Sequence, residues 1–189
     1  FAVGLRALLR QDPDIIMIGE TRDAETAEIS VRSAITGHLV VSTLHTNDAI
    51  SSIVRLADMG VAPYLISNSV VGIVAQRLVR KVCQFCKYEE PATAEDIAIV
   101  GDGIPMITRG KGCKVCNNTG YKGRISIHEM VYIDKTLKRM IARSADSQEM
   151  LEYAKKTQGM RSLMDSAIDL VKEGVTTPEE VMKIAYYSD

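Results

Sequence analysis

Four cysteines carry the strongest chemical signal in this sequence. They form two CxxC pairs, Cys83 with Cys86 and Cys113 with Cys116, and 26 residues lie between the pairs. A structural zinc ion takes four ligands in a tetrahedron, and four thiolates leave no open position for water. A redox-active pair and buried structural cysteines are the alternatives. The doubled spacing favours a zinc site that stabilises the fold and does not catalyse.

A second group of polar residues follows two short apolar runs. Glu20 comes directly after residues 15–19, while Thr43 and His45 lie at the end of the run that begins at Leu39. In nucleotide-hydrolysing α/β folds, a carboxylate at such a strand end orients the attacking water or holds the magnesium hydration shell. The carboxylate, the hydroxyl and the imidazole are expected at one rim of a sheet. His45 would then sense a γ-phosphate, although a lone histidine is more often structural.

The pattern around these residues predicts a parallel sheet. An amphipathic helix over residues 3–10 is expected to end at residues 12–14, before a central strand, residues 15–18, that is buried on both faces. Asp23 should cap a helix that runs to about Thr36, and a second strand follows directly. The order strand, helix, strand predicts an α/β fold.

The later elements are expected to be mostly helical. A helix should open at Thr46 or Asn47, and another should run from Pro63 through about Leu78. Residues 83–122 are predicted to be an inserted knuckle with one short helix that begins near Thr93, and residues 125–131 a strand. From Asp134 onward the pattern predicts three or four helices, and the last of them opens with the capping signature Thr177-Pro178-Glu179-Glu180.

Composition limits the possible functions. The 189 residues are 46% hydrophobic, and 23 Lys and Arg against 24 Asp and Glu give a net charge of -1. This balance gives no reason to expect nucleic acid as a partner. No apolar run approaches the roughly 20 residues of a membrane span, and no signal peptide opens the sequence, so a cytoplasmic location is expected. The first residue, Phe1, is not an initiator Met, which suggests a piece of a larger protein.

Several segments together resemble the type II secretion and type IV pilus assembly ATPases. The Walker B and His boxes of that family are similar to Leu9-Arg10-Gln11-Asp12-Pro13-Asp14, Gly19-Glu20-Thr21-Arg22-Asp23, Thr36-Gly37-His38 and Ser42-Thr43-Leu44-His45-Thr46-Asn47. Residues 75–80, the four cysteines and residues 120–129 extend the resemblance over nearly the whole chain. The paired cysteines favour the secretion and pilus-extension branch, called GspE and PilB, over the retraction branch.

The resemblance implies a hexameric ring that binds ATP and Mg²⁺ between RecA-like subunits and turns an inner-membrane platform protein from the cytoplasmic side. It assigns Glu20 and His45 to catalysis, with Thr43 and Arg22 as nucleotide contacts. Arg22 could instead pair with Asp23 or Glu25. Arg77 and Arg80 could contact a neighbouring subunit or cover the knuckle with their stems.

One departure from the family affects the expected activity. The sequence contains no GxxxxGK[ST] motif, so the backbone amides and the lysine that would cradle the β- and γ-phosphates are lacking. The predicted fold class is α/β. Residues 1–82 are expected to form a partial RecA-like (P-loop NTPase) core lacking the P-loop. A tetracysteine zinc knuckle should follow over 83–122, and a strand plus a C-terminal helical subdomain over 123–189. The chain alone should not hydrolyse ATP.

Two other functions stay open. The chain could be a stand-alone zinc-stabilised module that binds a protein partner and keeps the strand-end residues as relics. A DNA-packaging or conjugation motor of related fold would explain the histidine less well and would not require the four cysteines.

Overall fold

A computed structural model describes residues 2–185, which form nine helices and six strands. The helices are α1 (Ala2–Leu8), α2 (Ala24–Ile35), α3 (Ala49–Asp58), α4 (Pro63–Ser69), α5 (Ala94–Val100), α6 (Lys135–Ala142), α7 (Ser147–Gln158), α8 (Leu163–Lys172) and α9 (Pro178–Ala185). The strands are β1 (Ile15–Ile18), β2 (Leu39–Ser42), β3 (Gly72–Val82), β4 (Lys87–Pro91), β5 (Met106–Gly110) and β6 (Tyr121–Tyr132). Short 3-10 turns occupy Leu9–Gln11 and Lys114–Cys116.

The chain forms two compact units, each assembled from two stretches of sequence. The first contains residues 1–74 and 130–160, and the second contains residues 75–129 and 161–189. The three predicted segments, 1–82, 83–122 and 123–189, describe changes in sequence character and stay a prediction.

The parallel pairing of β1 with β2 organises the first unit. Ile15 lies opposite Leu39 and Ile18 lies opposite Ser42, with α2 as the connection between the strands. Asp23 caps α2 as predicted, because its carboxylate accepts a hydrogen bond of 2.8 Å from the Thr26 N–H. The α/β prediction is confirmed for this part of the chain.

The expectation that residues 15–18 are buried on both faces is wrong. Ile16 and Ile18 are 2% and 5% exposed, whereas Ile15 and Met17 are both 64% exposed. Leu5 of α1 and Ile29 of α2 pack against the buried pair, so both helices cover the same face of the sheet. Within residues 2–185, β1 pairs with β2 alone and is not a central strand.

The predicted helix from Pro63 through Leu78 is also wrong in its second half. It ends at Ser69, and β3 begins at Gly72. Exposure along Gly72–Leu78 alternates from one residue to the next, the period of a strand and not of a helix. The whole strand, Gly72–Val82, contains Ile73, Val74, Val79 and Val82, whose branched Cβ favours strand conformations. An apolar run of this kind fits either period until the packing partner is known, and here β3 pairs with β6.

The second unit has its own core and a hairpin that the sequence did not predict. Strands β4 and β5 pair antiparallel, from Lys87 opposite Gly110 to Pro91 opposite Met106, and α5 lies between them in sequence. Side chains from β3, α5, β5, β6, α8 and α9 pack into one cluster around the fully buried Ile107. Arg109 on β5 binds Glu90, Asp96 and Glu179, and so connects β5 with β4, α5 and α9.

Two glycines let the chain fold back on itself beside the cysteines. A Cβ on Gly110 would lie 2.2 Å from the Gly120 carbonyl oxygen, and a Cβ on Gly120 would lie 2.6 Å from the Gly110 carbonyl oxygen. These distances are far inside van der Waals contact, and both obstacles are backbone atoms. Gly120 also has a φ of +78°, a left-handed conformation that costs a side chain energy.

Glu180 is a buried carboxylate that connects α9 to β3. It is 4% exposed and accepts hydrogen bonds from the Arg80 backbone N–H at 2.9 Å, the Arg80 guanidinium at 2.8 Å and Lys183 at 2.6 Å. The sequence predicts that Glu180 caps its own helix, but its carboxylate binds Arg80 instead. Burial alone would raise the pKa of Glu180, but the Arg80 guanidinium and the Lys183 ammonium outweigh burial and lower it.

Alanine substitutions at Gly110 and Gly123 should separate the cost of a steric clash from the cost of a left-handed backbone conformation. We expect Gly110→Ala to lower the free energy of unfolding by about 3 kcal/mol, because a methyl group would overlap backbone. Gly123→Ala is the control, since Gly123 has a φ of +77° but nothing within 4 Å of an added Cβ. It should lose only about 1 kcal/mol. Urea unfolding of the two variants measures the difference, and equal losses would contradict the close approach.

The lowered pKa of Glu180 predicts a pH-dependent contribution to stability. A carboxyl whose pKa is lower in the folded state stabilises the protein above the unfolded pKa, about 4.3, and loses that contribution as the pH falls through the folded value. We expect Glu180→Gln to cost about 2 kcal/mol near pH 7, less than a fully buried pair because the Arg80 side chain is 43% exposed.

The difference between wild type and Glu180→Gln should shrink as the pH falls below about 4. Urea unfolding across this pH range measures it. Glu95→Gln, at an exposed position of α5, is the matched control and should change stability by less than about 0.5 kcal/mol at every pH. A constant difference between wild type and Glu180→Gln at all pH values would show that the charge on Glu180 does not stabilise the fold.

Candidate functional site

The parallel pairing brings the predicted rim residues together. Because Ile18 lies opposite Ser42, the chain leaves both strands at the same edge of the sheet. The Thr43 hydroxyl donates a hydrogen bond of 2.6 Å to the Gly19 carbonyl oxygen, and the Thr21 N–H donates one of 3.0 Å to the Thr43 carbonyl oxygen. Glu20 lies between Gly19 and Thr21, so bonds to Thr43 hold the backbone on either side of it.

The Glu20 carboxylate has a separate partner for each oxygen. His45 Nε2 lies 3.0 Å from Oε1, and the Arg22 guanidinium lies 2.5 Å from Oε2. The Glu20 side chain is 17% exposed, while those of Arg22 and His45 are 74% and 85% exposed. A shielded carboxylate therefore sits beneath two cation-forming side chains that solvent or a ligand can reach.

These partners stabilise the charged form of Glu20. The hydrogen bond from Arg22 lowers the pKa of Glu20 against a smaller opposing effect of burial, and His45 lowers it further. Glu20 is therefore a carboxylate at neutral pH. In that state it can orient a water molecule or bind a hydrated divalent cation, and it has no proton to donate.

The structure places all four residues predicted for nucleotide chemistry at this rim. Arg22 pairs with Glu20, whereas Asp23 caps α2 and Glu25 pairs with Arg6 at 2.6 Å, so neither predicted alternative for Arg22 is the observed contact.

Two further hydroxyls, which the sequence did not predict, lie at the same edge. The Thr21 and Ser42 hydroxyl oxygens lie 2.8 Å apart, and Thr21 is only 4% exposed. The rule that identified Glu20 and Thr43, polar residues at the ends of neighbouring parallel strands, also applies to these two positions.

The second unit brings the four cysteines into one cluster. All four Sγ atoms lie within 4.8 Å of one another, and individual pairs are 3.7 Å and 3.9 Å apart. A tetrahedron of thiolates around zinc, with bonds of about 2.3 Å, has edges of about 3.8 Å. A disulfide would bring two sulfurs to about 2.05 Å. The observed spacing therefore fits four ligands of one zinc ion and excludes a disulfide between them.

The chemistry of the cluster also fits a cation. Burial, which the neighbouring thiols reinforce, raises the pKa of Cys86 to about 12. Burial acts the same way on Cys116, but N–H groups of Cys113 and Gly120 and the adjacent thiols outweigh it and lower the pKa of Cys116 to about 6. Four thiolates in this space repel one another, and a zinc ion, when bound, supplies the charge that keeps all four ionised.

Backbone bonds hold the two CxxC turns in place. The Cys83 N–H donates a hydrogen bond of 2.9 Å to the Gly120 carbonyl oxygen, and the Lys111 N–H donates one of 3.1 Å to the Cys86 carbonyl oxygen. Each bond ties one turn to the chain that carries the other. Nearby, the Arg80 guanidinium lies 3.9 Å from the centre of the Tyr121 ring and pairs with Glu180. Arg80 thus has partners within its own chain.

Comparison with known proteins gives consistent matches. The family model "Type II/IV secretion system protein" matches residues 1–183. Type II secretion system protein HxcR of Pseudomonas aeruginosa is 48% identical over 184 residues, which cover 97% of this chain and 36% of that protein. Type IV pilus assembly ATPase PilB of Thermus thermophilus is 46% identical over 187 residues, which cover 96% of this chain and 21% of that protein. The chain therefore spans about a third or less of these relatives.

Solved structures agree on the fold. The pilus retraction motor PilT with bound ADP superposes with a TM-score of 0.68 at 28% identity, over 97% of this chain and 43% of that one. The Legionella pneumophila ATPase DotB gives a TM-score of 0.65 at 22% identity, over 98% of this chain and 42% of that one, which shows the shared fold alone. Between residues 2 and 185, no helix is both long and apolar enough to span a membrane.

Metal content tests the thiol cluster. We expect about one zinc per chain in protein purified without chelator, and loss of the knuckle when a strong chelator removes it, because structural zinc contributes on the order of 10 kcal/mol to folding. Cys83→Ser and Cys116→Ser should each lower zinc content, measured by atomic absorption. His128→Ala, at an exposed position of β6, is the control and should keep the metal. Far less than one metal per wild-type chain would contradict the zinc site.

Proposed function

Because the chain belongs to the type II/IV secretion system protein family, we propose that it is part of an ATPase that powers type II secretion or type IV pilus assembly. Relatives at 46–48% identity carry both functions in their names, a type II secretion ATPase and a type IV pilus assembly ATPase among them. The observation that supports ATP hydrolysis most directly is the Glu20 carboxylate, held in its charged form at the carboxyl edge of a parallel sheet.

Three of the rim residues have a direct role in this proposal. Glu20 orients the attacking water or holds the hydration shell of Mg²⁺, since its carboxylate accepts hydrogen bonds and carries charge. His45 lies on the exposed side of Glu20, where it can meet the γ-phosphate. Arg22 shares the carboxylate with His45 and is exposed, so its guanidinium can exchange Glu20 for a phosphate oxygen. ATP and Mg²⁺ supply the reacting phosphate and its charge neutralisation.

The rim residues can act on the attacking water and the γ-phosphate, but they do not form a complete binding site for the phosphates of ATP. The sequence contains no GxxxxGK[ST] motif, so the groups that cradle the phosphates must come from another segment. We therefore propose that the 189-residue chain alone does not hydrolyse ATP. In the intact protein, ATP would bind between subunits of a homo-hexamer that works at the cytoplasmic side of the bacterial inner membrane on a platform protein.

The zinc cluster has a structural role in this proposal. Four thiolate ligands close the coordination sphere, so the metal would fix the chain reversals at Gly110 and Gly120 and have no direct part in hydrolysis.

Phosphate release tests the assignment of Glu20. We expect the intact protein from the source reading frame to release phosphate from ATP, and Glu20→Gln to lower kcat by at least about 100-fold, because the amide is isosteric but uncharged and a poor base. The isolated chain should show no turnover above its own Glu20→Gln variant. Glu95→Gln serves as the control for loss of one carboxylate.

Two results would overturn the proposal. Turnover by the isolated chain that Glu20→Gln abolishes would show that no further phosphate-binding segment is needed. An intact protein without ATPase activity that still binds a protein partner through the zinc-containing unit would favour the stand-alone interaction module.

A further inference from the structure

The backbone around Glu20 is tied to β2 beyond the last ladder pair. The register ends with Ile18 opposite Ser42, yet three further hydrogen bonds continue across the gap. They are Thr43 Oγ1 to the Gly19 carbonyl at 2.6 Å, the Thr21 N–H to the Thr43 carbonyl at 3.0 Å, and Thr21 Oγ1 with Ser42 Oγ at 2.8 Å. Both peptide groups that flank Glu20 are fixed in this way.

The hydroxyl of Thr43 is committed to this contact. A threonine hydroxyl has one proton to donate, and the Thr43 proton goes to the Gly19 carbonyl oxygen. Phosphate oxygens are hydrogen-bond acceptors, so Thr43 cannot donate to a phosphate while that bond exists. This argues against the nucleotide contact that the sequence predicts for Thr43.

Thr21 has a matching position on the other side of Glu20. Thr21 is 4% exposed, its N–H donates to the Thr43 carbonyl oxygen just after β2, and its hydroxyl bonds Ser42 at the end of β2. Glu20 itself must reach outward to His45 and Arg22. A residue whose flanking peptide groups are anchored on both sides has little freedom to shift the backbone from which its side chain extends.

We propose that Thr43 and Thr21 are positioning residues that clamp the backbone on both sides of Glu20, and that neither binds the nucleotide. The proposal rests on the function proposed for Glu20. A carboxylate that activates water must be placed to within a fraction of an ångström, and a displacement of about 1 Å can cost a factor of about 100 in rate. The clamp therefore acts on kcat and leaves ATP binding unchanged.

Isosteric substitutions in the intact protein test the clamp. Thr43→Val removes the proton that bonds Gly19 and keeps the shape of the side chain, whereas Thr43→Ser keeps the proton. Thr21→Val removes the bond to Ser42 and suits a buried position. We expect Thr43→Val to lower kcat by about 10- to 100-fold with KM for ATP within about twofold of wild type, and Thr43→Ser to restore most of the rate. Thr21→Val should lower kcat by a smaller factor.

A second readout is independent of catalysis. Exchange of the Thr21 amide hydrogen, followed by NMR or mass spectrometry, should become at least about tenfold faster in Thr43→Val, because the peptide that carries Glu20 loses an anchor. Ser67→Ala is the control. This substitution deletes a hydroxyl that donates a hydrogen bond of 3.0 Å to the Tyr64 carbonyl oxygen in α4. It should change neither kcat nor the exchange rate of the Thr21 amide hydrogen.

Each contrary outcome has a distinct meaning. A KM for ATP raised about tenfold or more with kcat unchanged would show that Thr43 is a nucleotide ligand. Wild-type kcat and wild-type exchange in Thr43→Val would show that no clamp exists. If Glu20→Gln turns over at the wild-type rate, the role proposed for Glu20 fails, and the exchange rates still decide whether Thr43 anchors the backbone.

Discussion

The parallel pairing of β1 with β2 is the constraint on which the candidate site depends. Its register places Ile18 beside Ser42, so Glu20 and Thr43 leave the sheet at the same edge. Side chains alternate along a strand, and a slip of one residue would turn Ile16 and Ile18 away from α1 and α2. Burial of those two isoleucines thus fixes the register, and the register fixes the distance from Glu20 to Thr43. Hydrophobic packing on one face of the sheet therefore determines where the polar groups lie at its carboxyl edge.

The zinc-containing unit relies on a different kind of constraint. Here the chain must bring two CxxC turns, 26 residues apart in sequence, to within 4.8 Å. Close approach of Gly110 and Gly120 makes this possible, and bonds from Cys83 to Gly120 and from Lys111 to Cys86 maintain it. Buried charge adds a third kind of connection, since Arg109 and Glu180 each join elements distant in sequence. Hydrophobic packing therefore fixes the rim of the parallel sheet, whereas close glycine contacts and buried charges hold the zinc-containing unit together.

The sequence predicted the features that depend on short spacing. Two CxxC pairs predict a metal-binding cluster from the spacing within each pair. Asp23 caps α2 by bonding Thr26, only three residues later in the sequence. Features that depend on distant partners were missed or wrong. Residues 70–78 fit a helix or a strand until β6 supplies the partner strand, and Ile15 and Met17 look like core until α1 and α2 pack on the opposite face. Glu180 has a capping pattern, yet its partner Arg80 lies 100 residues earlier. Hydroxyls such as those of Thr21 and Ser42 are common, and only the register shows that they meet.

Arg22 and His45 hold the Glu20 carboxylate at the rim of the sheet and stabilise its charged form. A ¹³C NMR titration of the Glu20 carboxyl carbon in the intact protein measures this stabilisation. We expect a pKa below the ordinary glutamate value of about 4.3 in wild type, and a rise toward that value in Arg22→Ala. A Glu20 carboxyl that titrates at or above the ordinary value in wild type, and does not respond to Arg22→Ala, would contradict it.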